Sequence, residues 1–363
     1  IIYILKMCLN INHINIIIMS IDLTKYKDKG LTGLANLGNT CYLNSCMQML
    51  SHCYAFNEMI DKLDTNSLNK IEDSILLIEW NNLRKLMWSQ NCIISPARYV
   101  NTVQKISQNK NIELFSGFAQ NDLPEFLVFI IDAFHNSLKR KVEMNITGTS
   151  HNKTDELAKE CFSMIKNMYS DTYSELLNLF YGIHVSLLHS EDNQKILSIK
   201  PEPFSLIDLP IPENIYSCNI YNCLDLYVSH EVLSGDNAWY NDKTLKKENV
   251  NKCINFWSLP EILIISFKRF NNNNKKINTI ITTPTNNLDL SKYIIGYDKE
   301  SYKYDLFGVC NHSGGCLGGH YTSYVKNANN KWYHFNDTSV CEINENNIIT
   351  NKGYCYFYKK IQN

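Results

Sequence analysis

The chain predicts an α+β protein, with a helical half first and a strand-rich half after it. Three observations carry this. Apolar residues recur at helical spacing between Cys41 and Phe134, and from Tyr181 onward they alternate in short aromatic and β-branched runs. The 363 residues, 44% hydrophobic and 12% aromatic, are enough to bury a large core. A formal net charge of -1 removes any global electrostatic case for nucleic acid or an anionic membrane, so the expected partner is protein.

Residues 1–29 are expected to be an N-terminal extension, disordered or non-native. Ile1 to Ser20 is apolar in patches, but Lys6, Asn10, Asn12, His13 and Asn15 interrupt it. No run of about 20 apolar residues is left to span a membrane, and no basic leader precedes a small-residue cleavage site. Residues 30–363 read as one domain: a helical lobe over about 30–175, and strands over about 176–363. The thirteen cysteines are odd in number and none is spaced C-x-x-C. That pattern fits reduced thiols of a cytoplasmic or nuclear protein better than a disulfide framework. Asn-rich tracts such as Asn271 to Lys276 read as loops.

The most informative stretch runs from Gly33 to Leu50, GLANLGNTCYLNSCMQML. Glycine and asparagine crowd the approach to Cys41; beyond it Tyr42, Leu43, Cys46, Met47 and Leu50 recur with helical period. Cys41 therefore stands where a tight loop becomes a buried helix. Asn39 or Thr40 is placed to cap that helix, and its free N–H groups and positive dipole end favour a thiolate at Cys41. Cys46 and Cys53 read as packing residues.

Further along, Ile71, Ile75, Ile78, Leu83 and Leu86 mark an amphipathic helix, and Ser95-Pro96 opens another with Ser as N-cap. Asp122 and Glu125 stand in capping-box spacing ahead of Phe126, Phe129, Ile130, Ala133 and Phe134. Lys139-Arg140-Lys141 reads as a solvated helix end. Strands are expected at 183–188, 196–199, 224–228, 262–270, 304–310, 320–325, 332–335 and 354–358.

A nucleophilic cysteine needs a base, and a second stretch supplies one. It reads His312-Ser-Gly-Gly-Cys-Leu-Gly-Gly-His320-Tyr321, followed by Lys331-Trp-Tyr-His-Phe-Asn336-Asp337. Glycines lead into His320, and two strands later the chain offers an amide and a carboxylate. Cys, His and Asn or Asp are the parts of a thiol-protease triad. His312 and His334 read as structural.

Together these stretches resemble the cysteine and histidine boxes of the ubiquitin-specific proteases, a papain-like family of deubiquitinating enzymes. Gln120-Asn-Asp-Leu-Pro-Glu-Phe-Leu127 is similar to that family's glutamine-aspartate box, Leu259 to Phe270 to its LPxxLxxxxKRF strand, and Tyr354 to Tyr358 to its last strand. The landmarks keep the family's order from Gly33 to Lys359. The resemblance implies a papain-like fold of helical thumb, palm and antiparallel fingers. It implies hydrolysis of the isopeptide bond after the C-terminal glycine of ubiquitin.

By the same resemblance Cys41 is the nucleophile, His320 the general base and acid, and Asn336 the group that orients the ring, with Asp337 as alternative or helper. Asn36 corresponds to the residue that donates to the oxyanion beside the Cys41 N–H; its other reading is loop capping. Asp122 is either an N-cap or the acidic contact for the arginine-bearing ubiquitin tail. Tyr321 packs either against that tail or against the core. Gly314, Gly315, Gly318 and Gly319 suit a loop that closes on an extended Gly-Gly tail.

Many relatives hold a structural zinc in the fingers with two C-x-x-C pairs. Here the corresponding stretches, Leu187 to Asp192 and Asn241 to Thr244, carry no thiol, so no zinc and no cofactor is expected. The expected partners are ubiquitin and ubiquitinated proteins, with the chain a monomer. Two other readings stay open: a ubiquitin-binding module with weak turnover, and a protease for another ubiquitin-like modifier.

Overall fold

The computed structural model describes residues 4–8, 21–316 and 318–362. Its helices are α1 (Cys41–Ser51), α2 (Tyr54–Asp61), α3 (Glu72–Ser89), α4 (Ala97–Asn109), α5 (Leu123–Leu138), α6 (Lys153–Tyr169), α7 (Leu176–Phe180) and α8 (Ile220–Tyr227). All but α8 precede the main strands, which gives the expected α+β order. Helix α1 is buried along its whole length; it carries no charged residue, and its Asn44, Gln48 and Ser51 find hydrogen-bond partners inside the protein.

Behind α1 lies a sheet whose strands are β5 (Ile207–Leu209), β8 (Ile262–Phe267), β9 (Lys303–Gly315), β10 (Gly318–Lys326), β11 (Trp332–Asn336), β12 (Ser339–Ile343) and β13 (Gly353–Lys360). The spatial order is β12-β11-β10-β9-β13-β8-β5, and Leu288–Asp289 adds a short pairing to β9. Every residue of β8 is buried, in keeping with its unbroken apolar run and its central place. One core joins α1 to Phe126, Ile130 and Phe134 of α5 and to Ile264, Val325, Phe335 and Phe357 of the sheet. Helix α1 is thus packed between α5 and the main sheet.

A second sheet, with the order β4 (Ile196–Phe204), β3 (Gly182–Ser190), β7 (Val250–Ser258) and β6 (Glu231–Leu233), extends as the fingers. Asn251 on β7 donates to the Glu191 carbonyl and to Asn193 Oδ1, pinning the turn where the first thiol pair was sought. Among the described residues, no group of three or more His, Cys, Asp or Glu side chains is placed to hold a metal.

Several expectations change. Residues 224–228 are not a strand: Asn219 and Asn222 form a reciprocal capping box that starts α8, and Ile220, Cys223 and Leu224 bury at helical spacing. Helix α3 is rotated from the face read in the sequence. Ile75 and Leu86 are 53% and 56% exposed, while Leu76, Trp80, Leu83 and Met87 face inward. The same repeat fits both faces, and the one carrying Trp80, which stacks near Phe134, buries more surface. Helix α4 starts one residue later than expected, with Pro96 at its N-cap and no side-chain cap bond from Ser95.

The N-terminal extension is also revised. Tyr26 is buried, stacks on Tyr54 at 4.5 Å and donates to Glu58 at 2.9 Å, so residues 21–29 belong to the fold. Farther back, β1 (Ile4–Cys8) pairs antiparallel with β2 (Glu143–Thr147). Residues 1–3 and 9–20 lie outside the described residues.

Candidate active site

The loop before Cys41 is held by its own polar groups. Gly38 and Asn39 take positive φ, +97° and +57°, which brings the chain sharply round into α1. Asn36 Oδ1 accepts from the N–H groups of Gly38 and Thr40 at 3.2 and 3.0 Å. Thr40 Oγ1 is taken up by the Leu37 N–H, and Asn39 Nδ2 donates to the Phe118 carbonyl. Neither Asn39 nor Thr40 therefore caps α1 with its side chain, contrary to the sequence expectation; Asn36 organises the turn instead.

At the start of α1, Cys41 is only 3% exposed. Burial pushes its thiol above the ordinary cysteine range, against the lowering effect of the Tyr321 N–H within hydrogen-bonding reach; the Asp337 carboxylate pushes it further up. The direction is opposite to the one expected from the helix start: desolvation outweighs the backbone N–H groups that favour the thiolate. The Tyr321 contact places the Cys41 sulfur against β10, one residue from His320.

On that strand, His320 Nε2 lies 2.7 Å from Asn336 Oδ1. An amide oxygen only accepts, so Nε2 carries the proton and Nδ1 is the ring's free base. Asp337 does something else. Its Oδ2 accepts from Asn36 Nδ2 at 3.0 Å and its Oδ1 from Asn44 Nδ2 at 2.8 Å, while its carbonyl accepts from the Leu34 N–H. The neighbouring amide and carboxylate therefore face opposite ways, one to the histidine and one to the nucleophile loop. Asn44 escaped the sequence reading, although a buried asparagine one turn after Cys41 on an apolar helix is the signal that finds it.

Asp122 caps α5, accepting from the Glu125 N–H at 3.2 Å, and its other oxygen accepts from Tyr354 Oη at 2.6 Å. Burial raises its carboxyl above the usual range. It lines a cleft of about 750 Å³ between the start of α5 and the palm, with Glu125, Asp208, Arg269, Phe270 and Tyr354. Tyr321 is 8% exposed and packs 4.7 Å from the His312 ring, the environment of its core reading. His312 is buried beside Lys276, and His334 packs against Tyr324.

Gln120 is a further residue that the sequence did not single out by itself. Its Oε1 accepts from the Gly319 N–H at 2.6 Å and its Nε2 donates to the Gly319 carbonyl at 3.0 Å. This side chain ties the thumb to the strand that carries His320.

The family profile described as ubiquitin carboxyl-terminal hydrolase matches residues 32–358. A "probable ubiquitin carboxyl-terminal hydrolase" of Acanthamoeba polyphaga mimivirus is 28% identical over 93% of this chain and 92% of its own. Usp2 of Drosophila melanogaster is 30% identical over 92% of this chain, which spans only 35% of that protein's length; for human ubiquitin carboxyl-terminal hydrolase 2 the figures are 29%, 91% and 55%. In fold the chain is similar to the SAGA DUB module protein Ubp8, solved bound to monoubiquitin, with a TM-score of 0.70 and 21% identity over 95% of this chain and 72% of that one. Among the described residues no helix is long and apolar enough to cross a membrane. A profile match over nine-tenths of the sequence, on a chain with a cysteine at a helix start and a hydrogen-bonded His–Asn pair, places the protein in the ubiquitin carboxyl-terminal hydrolase family, the cysteine-type deubiquitinases.

Proposed function

We propose that the chain from residue 21 onward acts as one catalytic domain, nine residues longer than the 30–363 expected from the sequence, that hydrolyses the bond after the C-terminal glycine of ubiquitin, with Cys41, His320 and Asn336 as the triad. The observation that carries the residue roles is the His320–Asn336 bond. It fixes the proton on Nε2 and leaves Nδ1 to take the Cys41 proton. The thiolate attacks the glycine carbonyl carbon, and the C–N bond breaks as His320 returns the proton to the departing lysine amine. A thioester remains on Cys41. His320 then deprotonates water, which attacks the thioester and releases a carboxylate and the thiol.

The proposed oxyanion donors are the Cys41 N–H and the second hydrogen of Asn36 Nδ2. The first hydrogen of that amide is anchored on Asp337, so the carboxylate orients the donor while Asn336 orients the base. Ubiquitin and ubiquitinated proteins are the proposed partners. The proposed setting is the cytoplasm or nucleus, where reducing conditions keep Cys41 a thiol.

The test is release of a fluorophore from the C-terminus of ubiquitin, with ubiquitin-like modifiers as parallel substrates. Turnover by the wild type that falls at least a thousandfold in Cys41→Ala is the expected result. A folded wild type that binds ubiquitin without turnover would overturn the catalytic reading.

A further inference from the structure

His320 stands in a part of its hairpin that the main sheet does not hold. On one side β9 pairs with β13 only as far as Asn311 and Gly353, and on the other β10 pairs with β11 only from Ser323 onward. The hairpin from His312 to Tyr321 therefore projects past both neighbouring strands. Its root is tied down at His312, which is 4% exposed. The His312 N–H donates to the Lys352 carbonyl at 2.8 Å, and Lys276 Nζ donates to the His312 carbonyl at 2.5 Å and to its Nδ1 at 3.1 Å. In a continued ladder the Lys352 N–H would donate to that carbonyl; it is turned to Thr350 Oγ1 instead, and the lysine takes its place.

Both main-chain groups of His312 thus point away from β10. His312 and Tyr321 are then a non-hydrogen-bonded pair with side chains close together, and their rings stand 4.7 Å apart. An ammonium only donates, so Nδ1 of His312 accepts and the neutral ring carries its proton on Nε2. That edge packs on the strand of the base: a Cβ at Gly319 would stand 2.2 Å from His312 Nε2. His320 is the next residue, and the Tyr321 N–H after it lies in reach of the Cys41 sulfur. Lys276 is itself fixed at the end of β8. It bridges to Phe270, while the Ile277 N–H donates to the Arg269 carbonyl at 2.6 Å and Arg269 Nη1 to the Ile277 carbonyl at 3.0 Å. Among the described residues no carboxylate pairs with its half-buried ammonium; its side-chain bonds all go to His312.

We propose that Lys276 is a positioning residue for the reaction: by holding both the carbonyl and the ring of His312 it fixes the projecting hairpin, and so sets His320 in the geometry that proton transfer with Cys41 needs. The inference rests on the reading of Cys41 and His320 as nucleophile and base, and does not depend on the modifier being ubiquitin. The hold weakens when the ammonium loses its proton. Burial, Arg269 and Lys352 bring the Lys276 pKa down to about 8. With His312 these are the charged and titratable groups that face it, from the end of β8, the turn before β13, and β9. His312, held at about 4, stays neutral throughout that range. A neutral amine keeps two hydrogens but not the charge that strengthens its bonds.

The experiment compares wild type, Lys276→Met and Lys276→Arg from neutral to alkaline pH, with thermal melting to confirm that each is folded. With the ubiquitin fluorophore substrate, kcat in Lys276→Met should be about tenfold below wild type at about pH 7, with KM within about twofold, and the gap should narrow to about twofold above about pH 9. The ratio at each pH cancels the titrations of Cys41 and His320 that the two proteins share. Lys276→Arg keeps its charge, so its kcat relative to wild type should rise as pH passes about 8, which carries the test if the Met variant does not fold. Alkylation of Cys41 by iodoacetamide, read by mass spectrometry of its peptide, should be slower in Lys276→Met than in wild type at neutral pH and converge with it at alkaline pH, because a misplaced His320 takes the thiol proton less readily. If neither protein turns over the ubiquitin substrate while the alkylation rates still differ in this way, the positioning proposal stands and the ubiquitin reading fails. A kcat ratio constant with pH, a rise in KM at unchanged kcat, or equal alkylation rates would each overturn it; a constant ratio with a lowered melting temperature would mean that Lys276 only stabilises the hairpin.

Discussion

Asn336 and Asp337 are chain neighbours whose side chains serve different partners, because Asp337 takes a positive φ of 48° that turns it from the strand toward the nucleophile loop. Replacing Asn336 with Ala frees the His320 ring without touching the loop. We expect kcat to fall roughly a hundredfold with the melting temperature unchanged. Asp337→Ala removes the carboxylate that holds Asn36 and Asn44, and should lower kcat about tenfold while costing about 1.5–3 kcal/mol of stability. Steady-state kinetics beside urea unfolding separate the two, and a far larger kcat loss in Asp337→Ala would reverse the assignment. The local patterns around Cys41, His320 and Asn336 single these residues out in the sequence, and the fold brings His320 and Asn336 into contact. The direction in which the Cys41 thiol is shifted was not legible there, because it depends on burial in the folded core, which no local pattern records. Asn36 was read by its family position, but only the fold shows that one of its amide hydrogens is committed to Asp337.

Elements were legible where the local signal has one solution. The run from Leu259 to Phe270 admits only a buried strand, and the capping-box spacing at Asp122 marks the start of α5. The face of α3 has two solutions, and the choice is made by Trp80 meeting α5, a contact no local pattern records. The start of α8 was missed because its apolar residues also satisfy an alternating reading; the Asn219–Asn222 pair decides for helix. Asp122 shows why a cap can weigh more than a cap. Asp122→Ala strips the N-cap, worth about 1 kcal/mol, and leaves the buried Tyr354 hydroxyl without its acceptor, worth about 1–3 kcal/mol more. Asp122→Asn retains both acceptor positions in part and should lose less than half as much. Urea unfolding of the two variants checks this. A loss of only about 1 kcal/mol in Asp122→Ala would mean that Tyr354 finds water instead.

At the scale of the whole molecule, two histidines far apart in the chain make stability depend on pH through one mechanism. His52 closes α1 and is enclosed by Tyr54, Trp88 and Phe335, from three separate segments, so nothing local in the sequence announces its burial. Its Nδ1 lies 2.9 Å from the Gln48 carbonyl, a bond the neutral ring makes. Burial holds its pKa down at about 4, and His312 is held at about 4 by burial and by the adjacent Lys276 ammonium. In the unfolded chain both titrate near 6.5. Between these values the unfolded state binds more protons than the folded one, so stability must rise with pH from about 4 to 6.5 and is lost as pH falls through that window. The loss approaches about 3 kcal/mol for each histidine once both states are protonated. Urea unfolding at half-unit steps from pH 7.5 to 4 should show this slope, reduced in His52→Gln and in His312→Gln and reduced further in the double variant. The two sites share no partner, so their contributions should add. A slope in the double variant equal to that of the wild type would move the effect to other groups, such as the partly buried His135 and His334 or the carboxylates, and refute the account from His52 and His312.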